Sequence, residues 1–194
     1  MRVLGIDPAA AGPTGYGVVE TDGRTYRVLD FGVLRHARSA RPEARLAAVH
    51  ALIARLVEKF SPDAVALEAV FTALNMKTAL KLAEVRGVVL LAAEQQHIPV
   101  HSYAPREVKA HVAGYGHADK RQMQQMVRVL LYLREAPQPS DAADALAVAL
   151  CHIYAAQARE RFAAATAPAV PRLRDETRNS RHSGARIHPE ASGR

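Results

Sequence analysis

The chain has 194 residues, of which 49% are hydrophobic, so one domain with a substantial core is expected. Its formal net charge of +7 favours a polyanionic partner, and nucleic acid is the natural choice. The single cysteine, Cys151, excludes an intrachain disulfide, and no apolar run is long enough for a signal peptide or a membrane span. We therefore expect a cytoplasmic protein that does not contact a membrane.

The first half of the chain predicts three strands followed by a helix. Two apolar runs predict the first two strands, and a segment rich in strand-forming residues predicts the third. Asp22-Gly23 is typical of a two-residue hairpin turn between the second strand and the third. Apolar residues at helical spacing after Pro42 then predict an amphipathic helix. The expected ranges are 2–7, 14–20 and about 25–34 for the strands and 42–60 for the helix.

The second half alternates strands with helices. The second helix is apolar around most of its circumference, so it should be buried on one side by the sheet and could meet a second subunit on the other. Asp119 is expected to cap a later helix. One expected strand ends at Glu68, and another covers residues 99–103. The expected helices cover residues 75–96, residues 105–112, a segment after Asp119, and residues 141 to about 162. This order predicts an α/β fold with a mixed sheet covered by helices.

Composition changes after Phe162, where Ala and Pro give way to a tail rich in Arg and poor in apolar residues. We expect a folded domain over residues 1–165 and a disordered basic tail over residues 166–194. The tail could act as a solubilising appendix or bind DNA weakly.

Four acidic residues stand where apolar segments begin or end. Asp7 and Glu68 each end a predicted buried strand, while Asp141 and Asp144 lie together at the start of the last helix. Each has an ordinary structural explanation, such as a satisfied turn residue or a helix cap. Asp7 and Glu68 lie at the carboxyl ends of strands, where ligands bind in such sheets, and four acids meeting at one cleft would repel one another unless cations neutralised them. The pattern therefore predicts a site for Mg²⁺ or Mn²⁺.

An all-carboxylate metal site on a basic protein is typical of phosphodiester hydrolysis. Two bound metal ions can activate a water molecule and stabilise the leaving oxygen. Asp7 is the natural bridging ligand because it ends the central strand.

Three separated motifs give the chain a specific resemblance. Leu4-Gly5-Ile6-Asp7-Pro8 with Thr14-Gly15-Tyr16-Gly17, then Glu68-Ala69-Val70-Phe71, and finally Asp141-Ala142-Ala143-Asp144-Ala145-Leu146 occur in the order found in the RuvC family of bacterial crossover-junction endodeoxyribonucleases. The resemblance runs from residue 2 to about 154. The chain differs from the usual family pattern at Ala9 and in the longer loop up to Pro13, which leaves the path of that loop open.

The resemblance implies a ribonuclease-H-like fold, with a mixed five-stranded sheet flanked by helices on both faces. It also implies a homodimer that resolves four-way (Holliday) DNA junctions by paired symmetric nicks in recombination and DNA repair, together with the RuvA–RuvB complex. By motif position, Asp7, Glu68, Asp141 and Asp144 would be the catalytic acids and would hold two Mg²⁺ ions per subunit, for which Mn²⁺ would substitute.

The resemblance also indicates residues that contact DNA. Phe71 matches a position whose aromatic ring stacks on junction bases, although a core residue would fit its local sequence equally well. Lys109 and Lys120 match positions with basic residues near the DNA. Other basic side chains could contact phosphates, although each alone is typical of solvated surface, namely Lys77, Lys81, Arg86, Arg106 and Arg121.

Other functions remain open from the motifs. The turn around Thr14-Gly15-Tyr16-Gly17 could bind phosphate in an ATP-binding domain of the actin and sugar-kinase type, although the chain is short for two lobes. The protein could also bind junctions without cutting them, or be another nuclease or transposase of the same fold.

Overall fold

The computed structural model describes residues 1–10, 12–37, 39–69 and 75–166. Their strands and helices follow the expected order, and all five strands join one sheet in the order β3-β2-β1-β4-β5. The elements are β1 (Arg2–Asp7), β2 (Thr14–Thr21), β3 (Tyr26–Leu34), α1 (Pro42–Phe60), β4 (Ala64–Glu68), α2 (Met76–Glu94), β5 (Val100–Tyr103), α3 (Pro105–Ala113), α4 (Lys120–Leu130) and α5 (Ser140–Thr166).

The sheet is mixed, as predicted. Strands β1, β2 and β3 pair antiparallel, whereas β4 pairs parallel with both β1 and β5. Side chains alternate between the two faces of the central strand. Val3 packs with α3, α4 and α5 on one face, and Leu4 packs with α1 and α2 on the other. The expected sheet with helices on both faces is therefore confirmed.

The β2–β3 turn differs from the predicted two-residue hairpin. Strand β2 ends at Thr21 and β3 starts at Tyr26, so four residues form the connection. The Asp22 carboxylate accepts hydrogen bonds from the main-chain N–H groups of Arg24 and Thr25, at 2.8 and 2.7 Å. These bonds occupy the main-chain N–H groups of Arg24 and Thr25 and keep both residues out of the sheet ladder.

Helix α5 is longer than expected, since it runs from Ser140 to Thr166 rather than ending near Phe162. The hydroxyl of Thr166 donates to the main-chain oxygen of Phe162, four residues earlier, at 2.9 Å. The predicted basic tail beyond Thr166 lies outside the described residues. None of the helices in the described ranges combines the length and the apolar character that a bilayer crossing requires.

Candidate metal and nucleic-acid site

Two of the four predicted acids are brought together by neighbouring parallel strands. Asp7 ends β1 and Glu68 ends β4, and the register pairs Ile6 with Leu67 immediately before them. Pro8 follows Asp7 and has no N–H group to continue the ladder. The two carboxylates therefore leave the sheet side by side at its carboxyl edge.

Helix α5 carries the other two acids to the same edge. Its first turn lies against the start of β2, where a side-chain Cβ on Gly15 would stand only 2.0 Å from the main-chain oxygen of Asp141. Further along the helix, a Cβ on Gly5 would stand 2.1 Å from the oxygen of Ala145. Only glycine leaves room for a helix backbone this close to the sheet. Because β1 pairs Asp7 with Gly15, this contact brings α5 to Asp7.

This packing bears on the ATP-binding alternative. The Thr14-Gly15-Tyr16-Gly17 segment lies within β2, and the space over Gly15 is filled by the backbone of Asp141. A phosphate loop needs open space above its glycines. The motif therefore serves helix packing in this fold, and no phosphate can approach Gly15 from that side.

Electrostatics show that the four carboxylates share one environment. Burial, followed in order of size by the neighbouring carboxylates Asp144, Glu68 and Asp141, raises the pKa of Asp7 to about 8 against the opposing charge of Lys120. Burial and Asp144 also raise the pKa of Glu68, although Lys109 and Lys120 act against them. The cluster thus carries more negative charge than its protein surroundings neutralise.

Lys120 forms an ion pair with this cluster. Its Nζ lies 3.1 Å from Oδ2 of Asp144, in an ion pair that is open to solvent on the lysine side. Burial outweighs this ion pair and raises the pKa of Asp144. Burial alone would lower the pKa of Lys120, but its contact with Asp144 and the charges of Asp141 and Asp7 raise it overall.

The start of α4 explains how Lys120 reaches Asp144. Asp119 caps this helix as predicted, since its carboxylate accepts from the N–H of Gln122 at 2.8 Å, and Gln122 Oε1 accepts in return from the N–H of Asp119 at 2.9 Å. This reciprocal capping box fixes the first turn, in which Lys120 is the first residue. The sequence places no Lys or Arg directly beside any of the four acids, so this counter-ion comes from tertiary structure alone.

A cleft of about 240 Å³ opens between these groups. Glu68 and Asp144 supply its acidic side, and Lys109 and Lys120 supply its basic side. Such a cleft can hold a phosphate that is bridged to the carboxylates by a cation and neutralised by the ammonium groups. The apolar floor comes from α3, α4 and α5, through Pro105, Val108, Met123 and Ala147.

The donor set fits a hard divalent cation. Carboxylate oxygens are the ligands that Mg²⁺ and Mn²⁺ prefer, and a cation would offset the burial and the repulsion that together keep the pKa of Asp7 high. Within the described ranges, no group of three His, Cys, Asp or Glu side chains is close enough together to hold one metal ion. Mutual repulsion and the Lys120–Asp144 ion pair both act against such close spacing.

Phe71 and Arg86 are two further residues that the sequence associates with DNA. Phe71 lies outside the described residues. Arg86, which the sequence offers only as a possible phosphate contact, instead donates from Nη1 to the main-chain oxygen of Glu68 at 2.6 Å. Two tyrosines are not among these predicted contacts: Tyr115 is exposed in a loop and its hydroxyl donates to Gln122, while Tyr16 packs against the core beside α1.

Comparisons with known proteins agree with this architecture. The family model described as Crossover junction endodeoxyribonuclease RuvC matches residues 3–152. The chain belongs to the RuvC family. The crossover junction endodeoxyribonuclease RuvC of Thermomicrobium roseum is 51% identical over 164 residues, which cover 84% of this chain and 99% of the relative. The corresponding protein of Chloroflexus aggregans is 48% identical over 162 residues, which cover 84% of this chain and 98% of the relative.

Solved RuvC structures have the same fold. The structure of Thermus thermophilus RuvC in complex with a Holliday junction substrate matches with a TM-score of 0.78 and 39% identity, over 82% of this chain and 96% of that one. A second Thermus thermophilus RuvC structure matches with a TM-score of 0.76 and 38% identity, over 82% of this chain and 97% of that one. The yeast mitochondrial resolvase Ydc2 is 16% identical with a TM-score of 0.59, which supports the fold alone.

Proposed function

We propose that this RuvC-family protein is a structure-specific endonuclease that resolves four-way DNA junctions by paired symmetric nicks, in recombination and DNA repair. The observation that carries the proposal is the electrostatic coupling of Asp7 to three other carboxylates at the carboxyl edge of a RuvC-family sheet. The Thermus relative described in complex with a Holliday junction supports the choice of substrate.

Asp7, Glu68, Asp141 and Asp144 would hold the metal, two Mg²⁺ ions per subunit with Mn²⁺ able to substitute. When bound, such ions supply an activated water and stabilise the leaving 3′ oxygen. The chain itself supplies the positioning, because Asp7 and Glu68 extend from adjacent parallel strands. Lys109 and Lys120 would bind the phosphate on the other side of the cleft and offset its charge. Phe71, two residues beyond Ala69, would stack on junction bases.

Symmetric nicking requires two active sites, and helix α2 offers a surface for a second copy of the chain. Met76, Leu80 and Leu91 are 74%, 58% and 54% exposed. Their spacing of four and eleven residues puts them on one side of the helix, together with Gly87. A Cβ on Gly87 would meet no atom within 4 Å, so nothing in the described part of this chain requires a glycine there. A homodimer that packs along this stripe would account for both features.

The cellular setting follows from the same proposal. A junction-resolving enzyme of this family would act in the cytoplasm with the RuvA–RuvB branch-migration complex. Residues 1–165 would form the nuclease domain, and the basic residues beyond would add nonspecific attraction to DNA.

The test uses a synthetic four-way junction with Asp7→Asn and Glu68→Gln. Both variants should bind the junction at about the wild-type affinity in EDTA and cut it at least about 100-fold more slowly in Mg²⁺, because each removes a metal ligand but no phosphate contact. Glu58→Gln is the matched control, since Glu58 is exposed on α1. Cleavage by Asp7→Asn at the rate of Glu58→Gln would refute the assignment.

A further inference from the structure

The catalytic edge depends on where β4 stops, and β4 stops at Glu68. One residue later, the N–H of Ala69 still donates to the oxygen of Tyr103 at 2.8 Å, which ties the chain to β5. Further along the chain, Asn75 caps α2 by accepting from the N–H of Thr78. Whatever fixes the Glu68 main chain therefore also fixes the direction in which its carboxylate leaves the sheet.

Arg86 makes that contact from helix α2. Its Nη1 donates to the main-chain oxygen of Glu68 at 2.6 Å, and its Nη2 donates to Oγ of Ser102 on β5 at 3.0 Å. One guanidinium thus joins α2 to the ends of two strands. The side chain is half-buried, so its place is held by packing as well as by these two bonds.

The chemistry of this contact is specific to arginine. A guanidinium presents parallel donors in a rigid plane, so it can hold two acceptors at a fixed separation. A lysine ammonium at the same place is a single flexible point charge and cannot hold both acceptors in that geometry. Nη1 and Nη2 of Arg86 both donate hydrogen bonds within the protein, which leaves fewer N–H groups of the guanidinium for a DNA phosphate.

We propose that Arg86 is a positioning residue for Glu68, holding the Glu68 main chain against Ser102 so that the carboxylate stands beside Asp7. This rests on the proposed function, in which Glu68 is a metal ligand. Arg86 touches neither the substrate nor the ion in this role. A displacement of a catalytic group by about 1 Å can slow the reaction about 100-fold, so loss of this main-chain contact can have a large effect on the cleavage rate.

The competing role for Arg86 is a phosphate contact, and substitutions separate the two. Arg86→Lys keeps the positive charge and loses the two-acceptor geometry, while Arg86→Met loses both. Ser102→Ala removes only the weaker anchor at an exposed position, so it should fold normally. Lys77→Met is the matched control, because Lys77 is an exposed basic residue on the same helix.

Three measurements apply to each variant: the junction Kd in EDTA, the single-turnover cleavage rate at saturating protein in Mg²⁺, and the rise in melting temperature that Mg²⁺ produces without DNA. For positioning, Arg86→Lys and Arg86→Met should both slow saturated cleavage by about tenfold or more and reduce the Mg²⁺-dependent rise, with Kd within about twofold of wild type. Ser102→Ala should shift the same two quantities by a smaller amount. Lys77→Met should change only Kd.

Wild-type cleavage by Arg86→Lys would overturn the proposal, and so would a weakened Kd with unchanged saturated cleavage in Arg86→Met. A Mg²⁺-dependent rise in melting temperature that is the same in wild type, Ser102→Ala and Arg86→Lys would also overturn it. If the wild-type protein cut no junction, the proposed function would fail, while the Mg²⁺-dependent rise would still test whether Arg86 positions Glu68.

Discussion

Burial and three neighbouring carboxylates hold the pKa of Asp7 at about 8, so without a metal this side chain opposes folding near neutral pH. In the unfolded chain the carboxyl group has its ordinary pKa near 3.8. Between these two values the folded protein binds a proton that the unfolded chain does not. The contribution of Asp7 to stability is therefore full below about pH 4 and is lost as the pH rises towards 8.

Asp7→Asn should consequently stabilise the metal-free protein while it abolishes cleavage. An amide cannot ionise, so the variant avoids the cost of a buried charge, and we expect a gain of about 1–3 kcal/mol at pH 8. Urea unfolding in EDTA at pH 5 and pH 8 measures it, and the gain should be larger at pH 8. Glu58→Gln should be neutral at both values. A less stable Asp7→Asn at pH 8 would contradict this electrostatic account.

The positions of the acids could be inferred from sequence, whereas their partners could not. A carboxylate that ends an apolar strand is visible as a pattern, as at Asp7 and Glu68. The contact of Lys120 with Asp144, across 24 positions of sequence, depends on how α4 packs on α5. Arg86 is harder still, because its acceptor is a main-chain oxygen, and nothing in the residue type separates that role from a phosphate contact.

At the scale of elements, helix α5 determines the architecture of the site. It packs on β1 and β2 and carries Asp141 in its first turn and Asp144 three residues later. Its Ala-rich sequence and the glycines opposite permit this close packing, as at Gly5 and Gly15. Apolar periodicity was sufficient to predict the helix and the strands. The β2–β3 connection was mispredicted because hydrogen bonding by the Asp22 side chain, rather than the Asp-Gly pair, sets its length.

Helix α5 is also joined to β5 by a buried polar pair. Nδ1 of His152 and the hydroxyl of Tyr103 are 2.7 Å apart, and both side chains are almost fully buried. Burial, with the charges of His101 and Arg159, lowers the pKa of His152 to about 4. Tyr103 lies opposite Glu68 in the parallel ladder, so this pair supports the strand next to the site.

The low pKa of His152 predicts that the protein loses stability in mild acid. The unfolded chain takes up a proton near pH 6.5, whereas folded His152 stays neutral until about pH 4, so stability falls as the pH drops through this window. We expect His152 to contribute about 1–3 kcal/mol of that loss. His152→Gln should flatten the unfolding free energy between pH 6.5 and 4.5. The exposed His117→Gln should follow the wild-type curve, and identical curves for all three proteins would contradict the role of His152.

At the scale of the whole molecule, the apolar stripe on α2 and the net charge of +7 define two kinds of surface. The stripe faces away from Val85 and Val89, which pack against α1. An amphipathic pattern alone could not show this division, because α2 is apolar almost all round. The basic charge predicts that junction affinity falls steeply as the salt concentration rises.

Placing a charge on the stripe should therefore produce a monomer. Leu80→Glu combined with Leu91→Glu puts two carboxylates on the proposed contact, at positions that are already exposed in one chain. We expect a monomer by analytical ultracentrifugation, unfolding within about 1 kcal/mol of wild type, and loss of paired nicking. Val129→Glu, at an exposed site on α4, should remain dimeric. A dimeric double variant would place the subunit contact elsewhere.

The most direct test of the account is a map of the cuts on a mobile four-way junction. Each of the four strands is labelled in turn, and wild-type protein is added with Mg²⁺ beside a linear duplex of the same sequence. Coupled active sites on a symmetric dimer predict two nicks at symmetric positions in opposite strands of like polarity, with the duplex left intact. Equal cutting of junction and duplex, or single nicks without symmetric partners, would contradict junction resolution by this protein.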